Sequence, residues 1–151
     1  MKLSVTHSRI LIVLFVLALI TFDRGFAQCK SVVQDGINKL EPFVFNGQIN
    51  TIEVKKGKSA KVHLAFYKGR TYKIQITTEP VFVEKISFKI FDEKKNEIFD
   101  SSAKNADSFT FYSNSAQELI VEVYATEVPK HCVAVLVGTE APKNNGSMRY
   151  L

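Results

Sequence analysis

Among 151 residues the sequence has no tryptophan, two cysteines, four prolines and seven glycines. So little proline and glycine excludes collagen-like and low-complexity chains, and two cysteines exclude a disulfide-dense mini-protein. Neither sign of charge dominates: charged residues make up 23% and the formal net charge is +5. With 46% hydrophobic residues, that balance argues against wholesale disorder, and the length fits a single globular domain. A long apolar run is also missing. The longest stretch, Ile10 to Phe22, is 13 residues, whereas a membrane-spanning helix needs about 20.

That short run follows Lys2 and Arg9 and precedes the small residues Gly25 and Ala27. A basic start, a short apolar core and small residues at a cut site describe an export signal, with cleavage expected after Ala27. The alternative, a short membrane anchor, is disfavoured by the same length. Lipidation is disfavoured because Cys29 follows Gln28, with Phe26 upstream. Removing residues 1–27 leaves 17 basic and 14 acidic residues, a net of +3. The densest basic cluster, Lys55, Lys56, Lys58 and Lys61 around Gly57, reads as a solvated turn ahead of an anion-binding patch. Nucleic acid is not an expected partner of an exported chain.

Both cysteines lie beyond the expected cut. In an exported protein an even pair, Cys29 and Cys132, reads as a disulfide closing a loop of about 100 residues. Free thiols or a zinc site are the alternatives. Zinc is disfavoured because His131 and Cys132 are adjacent and would point to opposite faces of a strand.

Val32, Val33, Ile37 and Leu40 are spaced as a short helix or irregular turn would space them, ending at Pro42. Beyond that the hydrophobic period is two. Val62, Leu64 and Phe66, then Tyr72, Ile74 and Ile76, then Ile86, Phe88 and Ile90 alternate with polar residues, as half-buried antiparallel strands do. Weaker strands are predicted at Glu97–Phe99 and Ser108–Tyr112, and a further alternating set at Leu119, Val121 and Val123. Val133–Val137 has no polar face, which predicts a strand covered on both sides or near an edge closed by the disulfide. Phe43, Phe45, Ile52 and Val54 predict a first hairpin turning at Asn46-Gly47. The sum is about eight short strands: an all-β, jelly-roll-like antiparallel sandwich over residues 28–141, with a loosely ordered tail at 142–151.

Phe66-Tyr67-Lys68-Gly69-Arg70-Thr71-Tyr72-Lys73-Ile74 resembles the glycine-containing turn and following strand of bacterial pre-peptidase C-terminal domains. Phe88-Lys89-Ile90-Phe91-Asp92, Ile98-Phe99-Asp100-Ser101-Ser102 and Phe109-Thr110-Phe111 resemble later strands of the same family. The resemblance implies a small jelly-roll-like module of exported enzymes, without catalysis of its own. Where the family has glycine and an aromatic residue opening the next strand, this chain has Ser115-Ala116-Gln117-Glu118-Leu119. Cys132 to Gly138 also resembles the ending of small exported proteins of the Bacteroidetes type.

The sequence offers little chemistry. Two histidines follow the signal: His63 on a polar strand face, and His131 at a turn entering the last strand. There is no Gly-x-Ser-x-Gly elbow, no His-Glu-x-x-His, no phosphate-binding glycine loop and no spaced cysteine cluster. Asp92, Glu93, Glu97 and Asp100 cluster at a turn, with Asp107 beyond, yet Lys94 and Lys95 lie inside the cluster. Calcium, which takes about six to eight oxygens, is therefore disfavoured. No catalytic residues, metal or cofactor are expected. Asn145-Gly146-Ser147 matches a glycosylation acceptor.

Exposed aromatic residues remain. Tyr67 beside Lys68-Gly69-Arg70, Phe91 and Phe99 on the outward phase of their strands, and Tyr112 and Tyr124 are candidates for a binding face. Against this stands a second face covered by the N-terminal segment or a loop. The reading is an exported, non-enzymatic binding or accessory module recognising an envelope protein or a glycan. The alternatives are a structural subunit of an envelope complex and an unrecognised enzyme.

Overall fold

A computed structural model describes residues 24–126 and 130–141, with the backbone alone for 24–28. The expected export signal, apart from its last four residues, and the expected tail at 142–151 lie outside the described residues. The elements run α1 (Arg24–Lys39), β1 (Val44–Val54), β2 (Ser59–Phe66), β3 (Arg70–Thr77), a 3-10 helix (Pro80–Lys85), β4 (Ile86–Phe91), β5 (Glu97–Asp100), α2 (Ser101–Lys104), β6 (Ser108–Ser113), β7 (Gln117–Ala125) and β8 (His131–Thr139). Of the segment from Val32 to Leu40, predicted as a short helix or turn, residues 32–39 belong to the longer α1 and Leu40 follows its last residue.

Pairing is nested. β1 pairs with β8, β2 with β7, β3 with β6 and β4 with β5, all antiparallel. The chain is thus one long hairpin. Further pairing of β3 with β8 and of β4 with β7 rolls it into two four-stranded sheets, ordered β1-β8-β3-β6 and β2-β7-β4-β5. That is a jelly-roll sandwich, the all-β fold expected from the alternating sequence.

The core lies between the sheets. The alternating residues read from the sequence supply it: Val62, Leu64 and Phe66 from β2, Ile74 from β3, Ile90 from β4, Val121 from β7. Rings run along one flank, with Phe66 4.9 Å from Tyr72, Phe111 5.5 Å from Phe109, and Phe109 4.7 Å from Phe99. Edge and stacked contacts of this kind add to the area buried.

A second, smaller core forms on the outer face of the first sheet, where Val32 of α1 and Leu40, just past its end, pack on Ala134 and Leu136. This explains the unbroken apolar run of β8. Its odd residues face the other sheet and its even residues face α1, so both faces are dry. The Cys29–Cys132 disulfide joins α1 to β8 across 103 residues of sequence, and its pairing is the one expected.

The hairpin predicted at Asn46-Gly47 does not form. β1 runs unbroken through both residues, because its partner is β8 at the far end of the chain. The turn-forming pair instead makes a bulge. Gly47 has φ +87°, Asn46 Oδ1 accepts the Gln48 N–H at 2.9 Å, and the pairing to β8 slips between Phe45 and Ile49. An Asn-Gly pair supplies positive φ equally well to a bulge or a turn, and partner choice decides which.

Candidate functional site

The β2–β3 turn is held from both sides. Gly69, at φ +84°, donates its N–H to the Ser113 carbonyl at 2.7 Å, and the Tyr67 N–H donates to the Tyr72 hydroxyl at 3.2 Å. With its backbone fixed, Tyr67 projects its side chain outward and is 73% exposed. Tyr112, on β6 opposite Thr71, is 56% exposed. Arg70 and Tyr112 line a shallow hollow of about 380 Å³ with Gly69, Thr71, Thr139 and Glu140. Of the six candidate residues, the structure thus brings Tyr67, Arg70 and Tyr112 to one rim of the sandwich.

The other three lie elsewhere. Phe91 and Tyr124 sit half-buried on the outer face of the second sheet, opposite Ile120 and Ser87 respectively. There the Tyr124 phenol is pushed up by burial and by its hydrogen bond to Glu122. Phe99 is not on an outward phase. It is only 6% exposed, with its ring 5.5 Å from Phe88 and 4.7 Å from Phe109. The register decides this: Phe99 pairs with the fully buried Ile90, so it shares the inward face and leaves Ile98 outside. Lys104 lies over the Phe99 ring, 5.1 Å from its centroid.

The acidic turn is internally occupied. Asp92 accepts both the backbone N–H and the side-chain amide of Asn96 at 2.8 Å. Lys89 Nζ reaches Glu97 and Asp100, each at 2.8 Å. Hydrogen bonds from Lys89 first, then from Ser102, hold the Asp100 carboxyl down at about 2. Glu93 accepts the Glu118 N–H at 3.0 Å. These carboxylates anchor a turn and a lysine, and among the described residues no three His, Cys, Asp or Glu side chains are grouped to hold a metal ion.

His63 is exposed, as its strand phase predicts, with Nδ1 2.6 Å from Glu118. His131 opens β8 and is buried, its ring centroid 4.2 Å from that of Phe82, and Nε2 has no hydrogen-bond partner. Burial pushes its pKa down, opposed by the Glu79 charge. A histidine whose folded pKa is depressed contributes nothing unfavourable while neutral in both states. Below about pH 6.5 the unfolded chain takes up the proton first, so stability falls as pH falls toward the folded value. A His131→Phe variant is therefore expected to lose less melting temperature than the parent between pH 7.5 and pH 5. Equal losses in the two proteins would refute this.

Sequence reasoning missed one cavity. At the opposite end of the sheets a cleft of about 590 Å³ is lined by Thr77, Ser87, Phe88, Ser101, Asn105 and Asp107 among others. Its lining comes from four separate stretches, at Lys39 and around residues 76–78, 83–88 and 101–107, that no local pattern connects. The Lys55–Lys58 cluster forms the β1–β2 turn, with Gly57 at φ +66° and its N–H donated to Ala125, and Lys61 lies 3.5 Å from Glu122. That is the solvated turn expected.

No protein-family model matches the chain, and no curated protein matches its sequence. Among solved structures, the chain is similar to PliG of Aeromonas hydrophila, a periplasmic lysozyme inhibitor of g-type lysozyme. The TM-score is 0.47 at 10% sequence identity, covering 61% of this chain and 84% of that chain.

Proposed function

We propose that this chain is an exported, non-enzymatic binding module, that its working surface is the rim of Tyr67, Arg70 and Tyr112, and that its partner is a protein of the cell envelope. The observation that carries the reading is the pair of highly exposed tyrosines flanking an arginine at one end of a rigid sandwich. Tyrosine and arginine are the residue types that dominate binding hot spots, because they bury large area at little conformational cost. Export is supported by the Cys29–Cys132 bond, since disulfides persist in oxidising compartments. A non-enzymatic role is supported by the two histidines: one is tied to Glu118 at the surface, the other sealed under Phe82. The resemblance to pre-peptidase C-terminal domains belongs to the same proposal and rests on the residues quoted for it.

The test places a photoreactive phenylalanine analogue at Tyr67 in the full chain and irradiates it with native envelope. One protein adduct is expected, with yield reduced about tenfold or more by Tyr112→Ala combined with Arg70→Ala. The same probe at Lys56, at the far end of β2, should give none. Equal labelling from both ends would sink the proposal, and adducts with sugar alone would replace the protein partner by a glycan.

A further inference from the structure

The four sheet edges are not alike. Edge strands invite pairing unless they are short, bulged or charged. β1 carries the Gly47 bulge, β2 carries Lys61, and β5 has only four residues and its own slip in register. β6, the remaining edge, reads Ser108-Phe109-Thr110-Phe111-Tyr112-Ser113. It has no charge, no proline, no glycine and an unbroken register to β3. Among the described strands it pairs with β3 alone.

The direction of its free backbone groups follows from the register. The Ile76 N–H donates to the Asp107 carbonyl at 2.9 Å, and Ile76 and Asp107 continue the β3–β6 pairing. On the other side of β3, the Thr71 carbonyl accepts from Glu140 at 3.0 Å and so faces β8. Antiparallel pairs alternate between bonded and non-bonded. Phe109, Phe111 and Ser113 therefore bond to β3, while Ser108, Thr110 and Tyr112 turn their N–H and C=O groups to the open edge. Phe109 and Phe111 are only partly buried, and their rings stack 5.5 Å apart beside that edge. A strand added there would satisfy the outward groups and cover the rest of both rings.

The surrounding charge selects the occupant. Arg70 and Lys73 lie opposite Ser113 and Thr110 of β6, Lys68 stands in the turn whose Gly69 N–H bonds Ser113, and Lys104 ends α2 just ahead of β6, against Asp107 and Glu140. None of the four cations is paired with a carboxylate among the described residues; Lys73 donates to the Lys39 carbonyl, and Lys104 lies over Phe99. A second copy would bring like-charged borders together, whereas an acidic segment would be drawn in.

We infer that β6 is a docking strand, whose edge takes an extended acidic segment of the protein partner as an added antiparallel strand. This rests on the protein-binding reading of the adjoining Tyr67, Arg70 and Tyr112 rim and names the mode of contact there.

The test uses the full chain and a peptide of about ten residues alternating valine and glutamate, long enough to pair along β6. Amide hydrogen exchange is read residue by residue. With peptide at about 1 mM, exchange at Ser108, Thr110 and Tyr112 is expected to slow about tenfold. A valine–lysine peptide should leave these amides unchanged. Thr110→Pro, which removes an outward N–H, and Thr110→Glu, which keeps it but repels the acidic peptide, should each abolish the protection. The thermal melt of each variant shows whether it is folded. Unchanged exchange at these three amides in the parent, or protection at β1 or β2 instead, would overturn the docking strand. So would protection that rises with protein concentration alone, since that marks a second copy. If the Tyr67 adduct forms equally well with Thr110→Pro, the binding module stands and the docking strand falls. If no adduct forms even in the parent, the binding module itself falls.

Discussion

Removing the Cys29–Cys132 bond by substituting both residues with serine is expected to lower the unfolding free energy by about 3–4 kcal/mol. For a domain of this size the melting temperature should drop roughly 10–15 °C. The bond spans 103 residues of sequence, and opening a loop that long returns to the unfolded chain the loop-closure entropy that the crosslink withheld. The loss should also be uneven. α1 is a 16-residue helix, a length that is marginal in water without a partner. Its hold on the sheet is the small cluster of Val32, Val33 and Ile37 with Leu40 on Ala134 and Leu136, the Lys73 bond to the Lys39 carbonyl, and the disulfide itself. In the serine variant, amides of α1 should exchange before those of β3 and β8. The measurement is a urea titration read together with residue-level exchange. An unchanged urea midpoint would show that docking of α1 alone holds the fold. A reducing compartment would impose the same loss on the parent, which is the physical reason for connecting this fold with export.

Legibility in the sequence followed burial. β2, β3, β4 and β7 bury one face each against the facing sheet, so polar and apolar residues alternate and the strands were readable one by one. β8 was readable for the opposite reason, since both its faces are dry. The limits are equally physical. Asn46-Gly47 announces positive φ but not which strand lies alongside, so a bulge read as a turn. Ile98-Phe99 is a pair of apolar residues in a four-residue strand, and so short a strand shows no phase. Only its pairing through Ile90 turns Phe99 inward. His131 stands next to a lysine and a cysteine, with nothing in its neighbours to say that Phe82, 49 positions earlier, closes over it. For the candidate site, the residue types were readable and their grouping was not. Arg70 and Tyr112 line one hollow because β3 and β6 pair, with Tyr67 in the turn leading into β3, while Phe91 and Tyr124 belong to the other sheet.

Gly36 is the position where sequence and structure are farthest apart, because glycine inside a helix normally costs about 1 kcal/mol relative to alanine. Propensity alone would make Gly36→Ala stabilising. In the structure a Cβ at this position would lie 2.5 Å from Leu136 Cδ1 and 2.7 Å from Thr77 Oγ1. α1 approaches the sheet so closely that there is no room for a methyl group. Overpacking of this kind costs about 1–3 kcal/mol, so Gly36→Ala is expected to be net destabilising by about 1 kcal/mol. Leu136→Ala should lose more, about 3 kcal/mol, because the side chain is fully buried between α1 and the sheet. Combining them is decisive. With the Leu136 methyl groups gone, the new Cβ at position 36 enters vacated space, and only the Thr77 contact still opposes it. The double variant should then be more stable than the sum of the single losses implies, by about 1 kcal/mol. Chemical denaturation of the four proteins measures that coupling. Strict additivity would mean that Leu136 yields freely to the added methyl group, and the close approach of α1 would then not be what requires glycine.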